Sequence, residues 1–167
     1  RQMPFEFMRD LLLAERGRVE MAAFNMSEDN LKKFMGHPLV GVGTDGSALA
    51  PYGRLGLGKP HPRHYGTFPR VLGKYVRQEK ILSLEAMIKK MTFLPARKFG
   101  FDKRGVISVG SWADLVLFDP DTVADAATWT DPHRYPVGIP YVVVNGRLVI
   151  DQGTHTGDLP GKVLRKA

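Results

Sequence analysis

The sequence predicts an α/β fold followed by a smaller unit built from β-strands. Over the first hundred residues, segments with a 3.6-residue apolar period alternate with short apolar runs that are typical of strands. From about Lys103 the period changes to two or to short continuous apolar runs, and turn residues become frequent. We therefore expect two units, residues 1–100 and residues 101–167.

The first 45 residues contain two helix and two strand patterns. Apolar residues at helical spacing predict a helix around residues 5–12, and the run at 19–24 is typical of a strand. Ser27 is a suitable N-cap for a second helix, and Gly36 stands where a helix commonly ends. A second strand is predicted at 39–44. The short connections favour parallel strands joined by a crossover helix.

A long loop and more helices come next. Residues 46–66 are rich in glycine and proline and have no apolar period, so we expect a loop there. Helices are predicted at 68–79 and at 84–92, the second capped by Ser83. A short helical turn should run from 95 to 100, because proline favours a helix start and glycine favours a helix end.

The last third of the chain is predicted to be mainly strands. Asn145-Gly146, between two apolar runs, is a strong hairpin signal. A brief helix is expected at 121–129, and the polar tail from Gly153 onward should be loose. The predicted strands lie at 106–109, 113–118 and 141–150.

Composition narrows the class of protein. Hydrophobic residues make up 43% and charged residues 25% of the 167, as in globular proteins, and no apolar run approaches the length of a membrane span. The absence of cysteine excludes disulfides and thiolate ligands within the chain and fits a reducing compartment, so we expect a cytoplasmic protein without membrane contact. Because the chain opens on Arg1 rather than methionine, we expect it to be part of a longer polypeptide.

The net charge of +7 lies entirely between residues 61 and 100. There, Lys and Arg alternate with apolar residues at helical spacing, which favours a solvated helix face over a surface for nucleic acid. We therefore expect no nucleic-acid partner, although a non-catalytic α/β module that binds an acidic partner remains an alternative.

The strongest candidate for chemistry is Asp45. It ends the apolar run at 39–44 and is set between glycines, which leave room for a ligand and allow a sharp turn. A strand that ends on an acid is a common way to present a catalytic group in α/β enzymes. An ordinary Asp-Gly turn is the competing interpretation, and the local sequence leaves both open.

Several segments together resemble the C-terminal third of the N-acyl-D-amino-acid deacylase (D-aminoacylase) family of the amidohydrolase superfamily. The segments after residue 100 mark only the superfamily, whereas the one from His61 to Leu72 is narrower and indicates the D-aminoacylase branch. The matching pieces are Phe24-Asn25-Met26-Ser27-Glu28, His37-Pro38-Leu39, Gly43-Thr44-Asp45-Gly46, His61-Pro62-Arg63, Phe68-Pro69-Arg70-Val71-Leu72, Leu94-Pro95-Ala96, Ala113-Asp114-Leu115-Val116 and Val143-Val144-Asn145-Gly146.

The resemblance implies a fold and a reaction. Residues 1–100 would be the C-terminal part of a (β/α)8 TIM-like metal-dependent hydrolase barrel, and residues 101–167 part of a small β-sandwich domain. The reaction would be hydrolysis of an N-acyl-D-amino acid, a small-molecule substrate, with zinc as cofactor. Most zinc ligands would lie outside this chain, which should be inactive alone. An incomplete barrel would expose strand edges, so a homo-oligomer is one expected state.

The resemblance also implies roles for three residues. Asp45 would be the catalytic acid and base and a possible metal ligand. Arg63 would bind the substrate's α-carboxylate, since a guanidinium can donate two parallel hydrogen bonds to it. Met26 would line the side-chain pocket. The stretch 47–59 is longer than in the shorter family members, so the resemblance leaves open whether Arg63 reaches the substrate's carboxylate.

Two further interpretations concern the histidines and the substrate. His61 and His64 lie in a loop without the spacing of a rigid ligand pair, so we do not expect them to bind metal, and His37 is expected to be structural. A dihydroorotase-like or hydantoinase-like hydrolase of cyclic amides would share Asp45 and the β unit, and it is the alternative within the superfamily.

Overall fold

The computed structural model describes residues 3–19, 23 and 25–165. Contacts divide the chain into two compact units, the first ending at Leu31 and the second beginning at Lys32. Helices and strands are both present, in agreement with the predicted α/β class. None of the helices in the described ranges combines the length and the apolar character needed to cross a membrane.

Helix α1 (Pro4–Ala14) confirms the first predicted helix, and it begins with proline, which needs no hydrogen-bond partner at that position. None of its side chains is buried, and Phe5 is 77% exposed. The strand predicted at 19–24 falls largely outside the described residues. Helix α2 (Glu28–Gly36) ends at the predicted glycine, and Ser27 Oγ accepts a hydrogen bond from the Asn30 N–H at 3.4 Å, which confirms the cap.

The strand predicted at 39–44 is wrong for this structure, because the segment has no regular secondary structure. A strand needs a neighbouring strand to satisfy its backbone groups, and none of the described residues provides one here. The segment instead begins with a turn in which the His37 carbonyl accepts from the Val40 N–H at 3.1 Å. The buried Lys90 ammonium donates to the same carbonyl, and burial lowers the pKa of Lys90.

The predicted loop is shorter than residues 46–66 and contains a 3-10 turn, Gly53–Gly56. Helix α3 (Arg63–Arg70) begins five residues before the predicted start, and it contains Pro69. Proline cannot donate a backbone hydrogen bond, and the chain beyond it widens into a π-helical segment, Val71–Gln78.

Two short helices complete the helical part. The cap of helix α4 (Leu84–Met91) is confirmed, since Ser83 Oγ accepts from the Ala86 N–H at 3.2 Å. Helix α5 (Phe93–Phe99) ends at Gly100, whose φ of 72° suits glycine, as predicted. The buried apolar side chains of the second unit are Met35, Val71, Leu72, Tyr75, Met87, Ala96, Val123, Ala127 and Val149.

The strands form one antiparallel sheet with the order β1-β2-β3-β4. The predicted hairpin is confirmed: Asn145 and Gly146 both have positive φ, 48° and 81°, as a tight two-residue turn requires. The tail is less loose than predicted, because β4 pairs with β3. The strands are β1 (Leu115–Leu117), β2 (Tyr141–Val144), β3 (Arg147–Asp151) and β4 (Thr154–His155).

Two strand predictions in this part need correction. The strand predicted at 113–118 is shorter, β1 covering only three residues. The strand predicted at 106–109 is absent, and Ile107 is 91% exposed. Both patterns are apolar enough for strands, but the described part of the chain offers 106–109 no strand to pair with.

Residues 119–138, which connect β1 to β2, form a closed loop that we call the strap. Its ends meet where the Asp119 N–H donates to the Gly138 carbonyl at 2.9 Å. The helix predicted at 121–129 is wrong, because Ala124 and Val137 exchange backbone hydrogen bonds of 3.3 Å and 3.0 Å, an antiparallel bridge that takes the place of helical bonds. The Asp119 carboxylate accepts from the Asp121 N–H at 2.9 Å and from the Thr122 hydroxyl at 2.8 Å. These bonds, the Asp121 contact foremost, lower the pKa of Asp119.

The strap packs against α3 and the π-helical segment at two glycines. A Cβ on Gly73 would lie 2.7 Å from the Val123 carbonyl oxygen, and one on Gly66 would lie 2.9 Å from the Asp125 Cβ. Arg77 adds a hydrogen bond of 2.8 Å to the same Val123 carbonyl. The two glycines therefore form a furrow in which the strap backbone lies.

We expect replacement of Gly73 by alanine to destabilise the protein by about 1–2 kcal/mol, because forced displacement of the strap outweighs the gain in helix propensity. The free energy of urea-induced unfolding measures this effect. Gly36→Ala is the matched control: Gly36 ends a helix, and a Cβ there meets nothing within 4 Å. Equal stabilities of the two variants would show that the furrow is not needed.

Candidate active site

Asp45 lies at a sharp turn beside the start of α3. Its φ of 47° is in the left-handed region, where aspartate is one of the few residues other than glycine that occur regularly. The Gly46 N–H donates to Thr44 Oγ1 at 3.1 Å, and a Cβ on Gly46 would lie only 3.3 Å from the His64 Cα. The turn therefore presents the carboxylate, which is 85% exposed, next to the helix.

Arg63, the first residue of α3, forms an ion pair with Asp45. The distance between Arg63 Nη2 and Asp45 Oδ2 is 2.8 Å. The structure thus brings together two of the three residues predicted for the site, 18 positions apart in the sequence. An exposed pair of this kind contributes about 0–1 kcal/mol to stability.

Two histidines fix the backbone around this pair. His61 Nδ1 accepts from the Arg63 N–H at 2.9 Å, and His64 Nδ1 accepts from the Ser47 N–H at 2.7 Å. Because one nitrogen of each ring accepts a backbone N–H, the hydrogen of each neutral ring is on Nε2. His61 therefore shapes the entry to α3, and His64 ties the turn after Asp45 to the helix.

The electrostatic environment of His61 favours its neutral form. Partial burial lowers its pKa, and the positive charges of Arg63 and His64 lower it further, whereas Asp45 acts in the opposite direction. The His61 ring also meets Trp129 of the strap edge-on, with ring centroids 4.5 Å apart.

The Arg63 guanidinium has an unused donor. Nε is buried and, within the described residues, has no hydrogen-bond partner. A buried N–H without a partner costs about 1–3 kcal/mol, so a ligand carboxylate that reoriented the guanidinium and satisfied this donor would remove that cost. Bidentate binding through Nε and Nη is the usual arginine geometry for carboxylates.

Met26, the third predicted site residue, lies in the first unit, and its side chain is 76% exposed. Its place in a substrate pocket stays a prediction. An exposed methionine is available for contact with an apolar group.

The described residues do not form a metal centre by themselves. Within residues 3–19, 23 and 25–165, no three His, Asp or Glu side chains lie close enough together to share a metal ion, and the sequence has no cysteine. Protein zinc sites use three or four such ligands. Asp45, with one oxygen on Arg63 and a well exposed carboxylate, could supply one of them.

Sequence reasoning missed the aromatic and imidazole groups that the strap brings to this site. Trp129 contacts His61, and His133 and Tyr135 contact Tyr65. The signal that could have indicated them is in the sequence: aromatic residues and histidine are concentrated in the strap, and a second such cluster surrounds Tyr65. The helix predicted at 121–129 assigns Trp129 to a helix end rather than to a segment that faces His61.

A match to a protein family defines the class of this protein. The profile of the amidohydrolase family matches residues 2–150. The chain therefore belongs to the amidohydrolase family, as the resemblance predicted.

Similarity to individual proteins indicates the branch of the amidohydrolase family to which the chain is similar. The chain is 45% identical over 143 residues to N-acyl-D-glutamate deacylase from Alcaligenes xylosoxydans xylosoxydans and 41% identical over 143 residues to D-aminoacylase from the same organism, and it covers 28% of each. These matches cover 86% of this chain. Among solved structures, N-acyl-D-glutamate deacylase from Bordetella bronchiseptica, complexed with zinc and a phosphonate inhibitor, matches with 50% identity and a TM-score of 0.73 over 84% of this chain and 28% of that one.

Proposed function

We propose that the complete polypeptide containing this chain hydrolyses N-acyl-D-amino acids to a D-amino acid and a carboxylate. The observation that carries the proposal is the Asp45–Arg63 pair, a carboxylate for proton transfer beside a guanidinium suited to the substrate's own carboxylate. The similarity to deacylases of this specificity supports it. Because the chain spans 28% of those relatives, the activity is proposed for the whole polypeptide.

The proposed architecture assigns residues 1–100 to the C-terminal part of a (β/α)8 barrel and residues 101–167 to part of a small β-sandwich domain. The helices α3 to α5 and the antiparallel sheet support a division of this kind. In such a barrel, 39–44 would gain the neighbouring strands that it lacks here, and Asp45 would lie at the C-terminal end of a barrel strand.

Asp45 would carry the proton transfers. Attack of water on the amide carbonyl requires a base to accept a proton, and departure of the nitrogen requires an acid to supply one, because an amide anion is a very poor leaving group. A single carboxylate can do both in sequence: it takes the proton from the water as the new C–O bond forms and gives it to the nitrogen as the C–N bond breaks. The exposure of Asp45 leaves room for water and substrate.

Zinc is the proposed cofactor, with Asp45 as one possible ligand and the others outside the described residues. When bound, zinc lowers the pKa of water and polarises a carbonyl oxygen. Arg63 would hold the α-carboxylate of the substrate, and Met26 would contact its side chain.

Hydrolysis assays with the complete polypeptide and added zinc test the proposal. We expect release of amino acid from the D enantiomer of N-acetyl-methionine, N-acetyl-glutamate or N-acetyl-aspartate and none from the L enantiomer. A 5-substituted hydantoin and dihydroorotate are the control substrates for the cyclic-amide alternative. Cleavage of these alone would replace the proposal by that alternative.

A further inference from the structure

Three contacts join the strap to the loop that precedes Arg63. His61 of the loop meets Trp129, Tyr52 lies close enough to Tyr135 to add to the rise that burial causes in its pKa, and the Gly58 carbonyl contacts His133. The loop is therefore held along its length by one partner segment.

His133 is a strap residue that makes polar contacts with one residue before Arg63 in the sequence and with one residue after it. Its Nε2 lies 3.1 Å from the Gly58 carbonyl oxygen, five residues before Arg63, and its Nδ1 lies 2.9 Å from the Tyr65 hydroxyl, two residues after it. The rings of His133 and Tyr65 also meet edge-on, with centroids 5.6 Å apart. One side chain thus connects the loop to the first turn of α3.

The partners determine where the hydrogens are. A carbonyl oxygen only accepts, so His133 Nε2 carries a hydrogen and donates it to Gly58. With the hydrogen on Nε2, the Nδ1 of this tautomer is an acceptor, and the Tyr65 hydroxyl, 2.9 Å away, donates to it. Both nitrogens of His133 are then used, and the ring cannot rotate without losing both bonds.

We infer that His133 is a positioning residue that fixes Arg63 for binding the substrate's carboxylate. The inference rests on the proposed function, because it assigns Arg63 that task. His133 touches neither Arg63 nor Asp45 in the contacts described above. It acts by holding the loop at Gly58 and the helix at Tyr65, and Arg63 lies between these two points.

The test compares His133→Phe, which keeps a ring but loses both hydrogen bonds, with Tyr65→Phe, which loses one oxygen atom. In the zinc-loaded complete polypeptide, we expect His133→Phe to raise the KM for N-acetyl-D-methionine by about 3- to 10-fold with kcat changed less than about twofold, the size typical of a lost hydrogen bond. Tyr65→Phe should show a smaller change of the same kind. His133→Gln, which keeps a donor for Gly58, should restore part of the affinity.

Two readouts separate positioning from a general loss of structure. N-acetyl-D-methioninamide lacks the carboxylate, so its inhibition constant should be unchanged in His133→Phe. In an Arg63→Ala background, His133→Phe should add no further increase in KM, because residues that act through one another are not additive. His155→Phe, an exposed histidine in β4, is the matched control and should leave both constants unchanged.

The outcomes are distinguishable. If Arg63→Ala leaves KM unchanged, the role of Arg63 in the proposed function is wrong. If Arg63→Ala raises KM but neither His133→Phe nor Tyr65→Phe does, the positioning inference alone is wrong. Equal losses for the acid and the amide would also overturn it, since they indicate a structural role. If His133→Phe does not fold, as judged from its thermal midpoint, Tyr65→Phe decides the question.

Discussion

Replacement of Asp45 by asparagine should lower kcat of the complete polypeptide by about 10²–10⁴-fold, the contribution typical of a general acid and base. Asparagine is the appropriate probe because it has nearly the same shape and tolerates the φ of 47° found here, whereas most other residues would be strained. Its amide cannot accept and return a proton. The loss should appear in kcat with D-amino-acid release as the assay.

The controls for this variant address folding and metal content. Loss of the exposed ion pair with Arg63 costs little, so the thermal midpoint should stay close to that of the parent. Zinc content measured on the same sample separates the two proposed roles: retention indicates proton transfer alone, and loss indicates that Asp45 is also a ligand. Asp151→Asn, at the exposed end of β3, is the matched control. A variant at Asp45 with unchanged kcat would remove this residue from the mechanism.

The second large effect is expected at Arg63. We expect Arg63→Ala to raise the KM for an N-acetyl-D-amino acid by about 10- to 100-fold, because hydrogen bonds to charged groups contribute more than neutral ones. Arg63→Lys keeps the charge but not the two-pronged geometry, so it should recover only part of the affinity. Steady-state kinetics with the acid and its carboxamide measure both effects.

Arg54→Ala provides the comparison for Arg63→Ala. Arg54 is an exposed arginine in the 3-10 turn of the same loop. Its removal changes the net charge equally and should leave KM unchanged. If both arginine variants weaken binding to the same extent, long-range attraction of the anionic substrate is the cause rather than a specific contact.

Features encoded by adjacent residues could be predicted from the sequence. The Ser27 and Ser83 caps, the Gly100 helix end and the Asn145-Gly146 hairpin each depend on a few neighbouring positions, and each is present. The strands predicted at 39–44 and 106–109 are absent from the structure. A strand depends on partner strands elsewhere in the chain, and the described residues contain none for these two segments.

The start of α3 and the course of the strap also depend on distant contacts. Pro62 is compatible with a helix that begins at Arg63, but the glycine- and proline-rich pattern around it favoured a loop, and the contacts that fix Arg63 come from His61, His64 and the strap. For the site, the resemblance selected Asp45 and Arg63, and the structure places them in contact. Their roles remain predictions. His133 could not be found in this way, because its importance depends on two residues that lie 68 and 75 positions earlier in the chain.

The strap joins two adjacent strands of one sheet, and its ends are closed by the Asp119–Gly138 hydrogen bond. Changes at its exposed positions, away from the buried Val123 and Ala127, can therefore be accommodated while the β1–β2 pairing stays intact, since surface loops tolerate such changes well. Mutations in this loop change the contacts made by the neighbours of Arg63 in the sequence, and they leave Asp45 and Arg63 themselves unaltered. A change of substrate preference could therefore arise from this one loop, with the residues proposed for the reaction left as they are.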